Sequence, residues 1–406
     1  GLSAAVRLAK AGAEVIVHEQ AGHAGGRARS FHDASLDSEI DNGNHLLLSG
    51  NRSALDYLRL IGARDRLTGP GSARFDFFDY ETDDRWSIDL NRGPVPLWVL
   101  YKDKRVLGTS MRDYLSGLKL LTAGDRTVTQ LFGDQGQMYR RFWEPFSIGV
   151  LNTPPDKAVA RLLMPVIRET LAKGADYSEP LIARKGLSDT FVDPALKWLE
   201  RNGAEVRFGE RVLALADDGG RITGLQTSSG RQTLGKGDAA VLAVPAWAAE
   251  QLVKGVCAPD AFAPIVNVHF RIEDAPRPLS PSPLIGMVGS QAQWIFTRGD
   301  IASVTISAAF ALAEKSAIDI TGLVWREVAA ALDLRDHPQP RARVIKERRA
   351  TFVATPQQIA RRPAQKGPYT NLVMAGDWID TGLPATIEGS IRSGATAAGI
   401  ITQTVT

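Results

Sequence analysis

Few folds accommodate the first thirty residues of this chain. Gly1-Leu2-Ser3-Ala4-Ala5-Val6-Arg7-Leu8-Ala9-Lys10-Ala11-Gly12 starts on a glycine and carries small and apolar residues at helical spacing. Ala13-Glu14-Val15-Ile16-Val17-His18-Glu19 then reads as a short buried strand ending in an acid, and Gly25-Gly26-Arg27 follows. This is the second half of a dinucleotide-binding unit. Gly1 takes the place of the last glycine of a G-x-G-x-x-G fingerprint. Glu19 lies 18 residues on, close to the spacing of about 20 at which an acid meets the ribose hydroxyls. A helix beginning at Gly1 offers free N–H groups and the positive end of its dipole to a diphosphate. Gly25 and Gly26 let backbone approach a ligand closely, and Arg27 can meet the diphosphate as a cation. The first strand, the first two glycines and an initiator Met are absent from the sequence, so the expectation is a chain truncated at its N terminus.

Composition narrows the class. The 406 residues suffice for two or more domains, and 44% hydrophobic with 23% charged residues is ordinary for a soluble globular protein. A net charge of +3, from 48 cations against 45 anions, gives no reason to expect a nucleic-acid partner. Cys257 is the only cysteine, which excludes an intramolecular disulfide and suits a reducing cytoplasm. The six histidines form no H-x-x-x-H pair, so no metal site is expected. No uncharged stretch reaches the roughly 18 to 20 apolar residues of a spanning helix.

Nucleotide-fold signals then recur far along the chain. Residues 52–62 and 189–203 read as helices closed by glycine. Residues 74–90 suggest a hairpin, and 94–172 are mainly helical with breaks at Pro145, Pro154-Pro155 and Pro165. Residues 204–208 read as a strand, 211–233 as a meander, 238–245 as a buried strand, 264–310 as β-rich and 322–334 as a helix. Asn371-Leu372-Val373-Met374-Ala375-Gly376-Asp377 reads as a strand into a turn, and 385–404 as a helix of small residues. The expected architecture is α/β: a Rossmann-like nucleotide-binding domain without its first strand, 1–52 with 186–255 and 343–406, interleaved with an α+β substrate-binding domain, 53–185 with 256–342.

With these segments the chain resembles the FAD-dependent amine oxidase and phytoene desaturase superfamily. Asp41-Asn42-Gly43-Asn44-His45-Leu46-Leu47-Leu48, Arg141-Phe142-Trp143-Glu144-Pro145, Leu151-Asn152-Thr153-Pro154-Pro155, Phe191-Val192-Asp193-Pro194-Ala195, Lys346-Glu347-Arg348-Arg349-Ala350-Thr351-Phe352 and Pro384-Ala385-Thr386-Ile387-Glu388-Gly389 narrow it. They resemble the squalene-associated flavoenzymes, a family that contains the hydroxysqualene dehydroxylases of bacterial squalene and hopanoid synthesis.

The resemblance implies FAD as cofactor. It implies that Asn42 and Gly43 pass beside the isoalloxazine, and that the backbone at Arg211-Val212 pairs with the adenine edge. It places Gly376-Asp377 at the ribityl hydroxyls. It also places Pro384, Ala385, Thr386 and Ile387 at a helix N terminus facing the pyrimidine ring, where negative charge on reduced flavin is stabilised. The implied reaction is reductive removal of the hydroxyl of hydroxysqualene. An acid protonates the leaving group, an allylic cation forms, and hydride from flavin N5 quenches it. His45 is the first candidate for the acid, with Asp41 and Glu388 behind it. The residues around Arg141-Phe142-Trp143-Glu144-Pro145-Phe146 are candidates for an apolar cavity whose aromatic faces stabilise a cation. Alternatives are a carotenoid or phytoene-type desaturase, an amine oxidase, or a flavin-free fragment that binds prenyl lipid.

The expected substrate is a hydrophobic polyisoprenoid. Pro94 to Tyr101, followed by Lys102, Lys104 and Arg105, is an apolar patch rimmed by cations. It suits either peripheral docking on the inner face of the cytoplasmic membrane or a tunnel wall. No second fingerprint for an electron donor is present, so NAD(P)H or a carrier protein is expected to reduce the flavin.

Overall fold

The computed structural model describes residues 1–405. The opening helix, Leu2–Lys10, buries Ala4, Ala5, Val6 and Leu8. It packs on the last helix, Ile387–Val405, where Ser3 Oγ donates to the Ile391 carbonyl at 2.8 Å. The ends of the chain therefore close one layer. The strand Ile16–Glu19 pairs in parallel with Glu205–Phe208, and Ala240–Leu242 pairs in parallel with Leu372–Met374. These are two separate two-stranded sheets. The meander expected at 211–233 is present as Val212–Asp217, Ile222–Thr227 and Gly230–Thr233.

The second region is built on a seven-stranded sheet. Its order is Arg341–Phe352, Phe262–Arg271, Ile301–Ile306, Trp294–Arg298, Leu284–Val288, Arg74–Asp79, Arg85–Asp89. Strand periodicity assigns its two faces. Phe78, Ile285, Ile295, Val304, Val266 and Phe270 join one buried cluster with Ile320, Val324 and Val328 of the helix Ala317–Ala331. Their sequence neighbours Phe77, Trp294, Phe296, Thr305 and Ile265 point the other way and line a cavity. Truncating the fully buried Phe270 to Ala is expected to cost about 3–5 kcal/mol. The strand Arg341–Phe352 pairs along its length with Phe262–Arg271, so the expected domain seam at residue 343 falls inside a strand of this sheet.

The prolines do less breaking than expected. Pro145 stands at the start of the regular α-helix Glu144–Leu151 without ending the helical run. A π turn, Tyr139–Trp143, runs directly into that helix. The same pairing recurs at Ser188–Val192 ahead of Pro194 in Asp193–Arg201. Asn152 ends the first of these helices in the left-handed region, φ 46°, ahead of Pro154-Pro155.

Candidate active site

One continuous cavity of about 1750 Å³ runs between the two regions. That exceeds the ~300–1,000 Å³ of a usual small-molecule pocket. One end is walled by backbone and small residues from three distant parts of the chain. Gly1, Glu19, Gly25, Gly26, Arg27, Val212, Gly376, Asp377, Ala385, Thr386 and Ile387 all lie on it. The cavity also reaches between the two parallel strand pairs, where Val17 and Val241 line it. The other end is apolar and aromatic, with Phe77, Phe142, Trp143, Phe146, Trp294 and Phe296 on its walls.

Local geometry explains the glycines. Gly376 has φ +153°, and a Cβ there would lie 2.5 Å from Trp378 Nε1, which donates to the Val244 carbonyl at 2.9 Å. Gly25 has φ +101°, and its Cβ would sit 2.9 Å from the Ala28 carbonyl oxygen. A side chain at either position would collide with neighbouring residues, so the backbone itself is what faces the cavity there. Two further features fit a dinucleotide. The buried amide oxygen of Gln232, on the same wall as Val212, has no hydrogen-bond partner. The helix capped by Gly1 has no side-chain acceptor for its first N–H groups. These residues fit FAD.

Several expected side chains are engaged differently. Arg27 does not reach toward open space for a diphosphate: it pairs with Asp377 at 2.7 Å and donates to the Ala350 carbonyl. Asp377 is thereby tied to a cation as well as lying on the cavity. Glu19 accepts from the Ala21 amide at 2.9 Å. Thr386 Oγ1 accepts from the Gly389 amide at 3.1 Å and so caps the last helix. Asn42, Gly43 and Pro384 are not on the cavity wall. Asn42 instead knits the Gly-Gly-Arg loop, accepting from the Arg29 amide at 2.9 Å and donating to the Arg27 carbonyl at 2.7 Å. Gly43 faces the Asn267 side chain, which a Cβ would meet at 3.3 Å.

The three acid candidates separate clearly. Asp41 is off the cavity wall and buried, accepting from Ser30 Oγ at 2.6 Å, the Leu187 amide at 2.8 Å and Arg298 at 3.0 Å. Glu388 touches the cavity. Its two oxygens nevertheless accept from the Ser53 and Ala54 amides at 3.1 and 2.9 Å, and from Arg392 at 2.9 Å. It caps the helix Arg52–Leu60, whose own N-cap Asn51 provides no side-chain bond. Both carboxylates are committed to structure, so neither is placed to deliver a proton. His45 lies on the cavity wall. Burial lowers its pKa below the ordinary 6.5, while the charge of Asp41 pulls it back up. Asp41 thus acts on His45 rather than in its place.

The structure adds residues that single positions in the sequence did not reveal. Asn44 donates to Thr305 Oγ1 at 3.0 Å, and Thr305 donates to Asn267 Oδ1 at 2.9 Å. Asn44 and Thr305 both line the cavity beside His45. Glu169, also on the wall, takes a bidentate bond from Arg392 at 3.0 and 2.5 Å. That guanidinium holds the Glu169 carboxyl below the usual range. Among the described residues no group of three or more His, Cys, Asp or Glu side chains is arranged to hold a metal ion.

Comparison with known proteins agrees with this geometry. The profile of the family described as flavin containing amine oxidoreductase matches residues 1–402. The chain is 42% identical over 402 residues to the hydroxysqualene dehydroxylase of Zymomonas mobilis, covering 98% of this chain and 96% of that protein. It is 43% identical over 406 residues to the hydroxysqualene dehydroxylase of Rhodopseudomonas palustris, covering 99% and 96%. Among solved structures, a putrescine oxidase triple mutant superposes with a TM-score of 0.69 at 15% identity, covering 99% of this chain and 96% of that one. Cyclohexylamine oxidase from Brevibacterium oxydans gives 0.68 at 14%, with the same coverage. At those identities the two oxidases share the fold alone.

Proposed function

The chain belongs to the flavin-containing amine oxidoreductases and, within them, to the hydroxysqualene dehydroxylase family, and from that premise we propose that it is an FAD-dependent oxidoreductase converting hydroxysqualene to squalene. The observation that carries this reading is the continuity of the cavity. A wall suited to a dinucleotide runs without a break into an aromatic chamber suited to a long hydrocarbon.

Gly1, Glu19, Gly25, Gly26, Val212, Gly376, Ala385, Thr386 and Ile387 would hold FAD, with Arg27 and Asp377 as a fixed ion pair at its side. When bound and reduced, FAD supplies the hydride that replaces the hydroxyl at the allylic carbon. The remaining tasks fall to the chain's own residues. The aromatic chamber excludes water and orients the isoprenoid. His45 donates a proton to the departing hydroxyl, and Asn44 with Thr305 offers polar contacts that position it. The faces of Phe142, Phe146 and Trp294 stabilise the allylic cation, an effect worth about 0.5–2 kcal/mol per well-placed ring.

The proposed place of action is the cytoplasm, peripheral to the inner face of the cytoplasmic membrane, where a hydrocarbon substrate partitions. Among the described residues no helix is long and apolar enough to cross a membrane. NAD(P)H or a carrier protein is the proposed reductant. The direct test uses FAD-loaded protein reduced without oxygen. Adding hydroxysqualene should restore the oxidised flavin absorbance in step with squalene formation. Intact bound flavin that stays reduced would sink the reading.

A further inference from the structure

The apolar end of the cavity does not close behind protein. Among the described residues, eight of the twelve exposed large hydrophobic side chains fall between Val95 and Leu121, including Leu97, Leu100, Leu115, Leu118 and Leu121, the last 73% exposed. The helix Met111–Thr122 is of the 3₁₀ type. With three residues per turn, side chains at i and i+3 stand in line. Leu115, Leu118 and Leu121 therefore form one ridge along its edge. Leu118 and Leu121 are also on the cavity wall, together with Pro94, Pro96 and Trp98 of the preceding segment. One set of residues thus forms an exposed apolar surface and the rim of the chamber. Water-soluble surfaces rarely leave such a contiguous patch uncovered.

Charge indicates what covers it. Between residues 94 and 122 there are five cations, Lys102, Lys104, Arg105, Arg112 and Lys119, against two carboxylates, Asp103 and Asp113. Asp113 is engaged at the helix start, accepting from the Ser110 amide at 2.6 Å in a capping box. Lys104 pairs with Asp89 at 3.3 Å, whereas Lys102, Arg112 and Lys119 are exposed and take part in none of the salt bridges among the described residues. Apolar side chains set among unpaired cations match the layered chemistry of a leaflet, with anionic headgroups above and acyl chains below.

We propose that residues 94–122 dock this protein into an anionic lipid leaflet and form the mouth through which its hydrocarbon substrate passes between bilayer and cavity. The passage of substrate rests on the dehydroxylation reading; the docking does not. The substrate never crosses water on this route, so presentation in a bilayer becomes part of the kinetics.

The test uses the FAD-loaded full chain with vesicles of phosphatidylcholine, alone or mixed with phosphatidylglycerol. Wild type should sediment with the anionic vesicles and be released by salt. Two variants avoid the cavity wall: Leu97→Ser with Leu100→Ser, and Lys102→Gln with Arg112→Gln and Lys119→Gln. Each should weaken vesicle binding by about tenfold or more and slow turnover of vesicle-embedded hydroxysqualene in parallel. Turnover of the same substrate dispersed in detergent should stay at the wild-type level, with unchanged flavin content showing that the fold is intact. Wild-type protein that stays in the supernatant with anionic vesicles, or variants that bind like wild type, would overturn the proposal and assign the face to a protein partner. Sedimentation as expected, with no turnover in either presentation, would support the docking surface and sink only the substrate assignment.

Discussion

The two ends of the cavity are built on opposite principles. At the nucleotide end the wall is backbone and small residues, and the arginine of the Gly-Gly-Arg loop is already paired, Arg27 with Asp377. Binding there depends on shape and on fixed N–H groups, and at Gly25 and Gly376 the backbone leaves no room for a side chain. At the hydrocarbon end the wall is rings, some from one face of the sheet (Phe77, Trp294, Phe296) and some from a helical segment, where Phe142 stacks on Phe146 at 5.5 Å between centroids. Binding there depends on area and π faces, and single losses are shared among neighbours. Between the ends stands His45. Behind it, on the strand Phe262–Arg271, stands a second histidine, His269, fully buried and bonded to Ser303 Oγ at 2.7 Å. The charge of Asp41 favours protonation of both. One histidine faces the chamber and the other only the core, which separates chemistry from architecture.

The sharpest attack on that contrast removes His45. His45→Ala should lower turnover by about 10²–10⁴-fold, the usual reach of a general acid, while FAD stays bound. Wild-type turnover would end its assignment. The acid form is the active one, so kcat/KM should rise as pH falls, with its inflection below 6.5 because burial lowers the group. His45→Gln should flatten that profile. Asp41→Asn should move the inflection lower still, because a charge that favours the protonated ring is gone.

His269 tests the architectural half. Its pKa is pushed down to about 4 from 6.5 by burial. The fold therefore favours the neutral ring. This contribution is complete above pH 6.5 and is lost as pH falls toward 4, amounting to about 3 kcal/mol at ~1.36 kcal/mol per pH unit. Urea midpoints at pH 7 and pH 4.5 should diverge strongly in wild type and less in His269→Asn. Equal pH slopes would mean that His269 titrates normally.

Gly376→Ala probes the shape-limited end. Strain at that backbone conformation, of about 1–3 kcal/mol, should weaken FAD binding by roughly tenfold to a hundredfold, read as the flavin-to-protein absorbance ratio. Phe146→Ala probes the tolerant end. Loss of one ring face should lower kcat/KM by about two- to thirtyfold with full flavin content. If Phe146→Ala emptied the flavin site, or if Gly376→Ala retained it fully, the contrast between the two ends would fail.

Much of the nucleotide end was legible in the sequence because its signals are local. A helix starting on glycine, a short β-branched run ending in Glu19, and a glycine before an acid at Gly376-Asp377 each need only a few neighbouring residues to be read. The helices at 52–60 and 193–201 carried their apolar spacing openly. The aromatic end was less legible. The strand Leu284–Val288 carries no polar residue and is buried throughout, so no alternation of apolar and polar residues marks which of its sides looks into the cavity. Only pairing across the sheet puts Phe77, Trp294 and Thr305 on one wall.

By itself, then, the sequence determined the kind of protein: an α/β fold of the flavin-containing amine oxidoreductases, with a cation-rimmed apolar patch at 94–105. Local backbone requirements and chain order suffice for that. The tertiary structure decided the roles of individual polar groups. Asp41 is spent on partners 146 and 257 residues away, and Glu388 on an amide 334 residues away. A carboxylate's chemistry follows from which donors surround it once the chain has closed, and that is a property of folded neighbours, not of sequence neighbours.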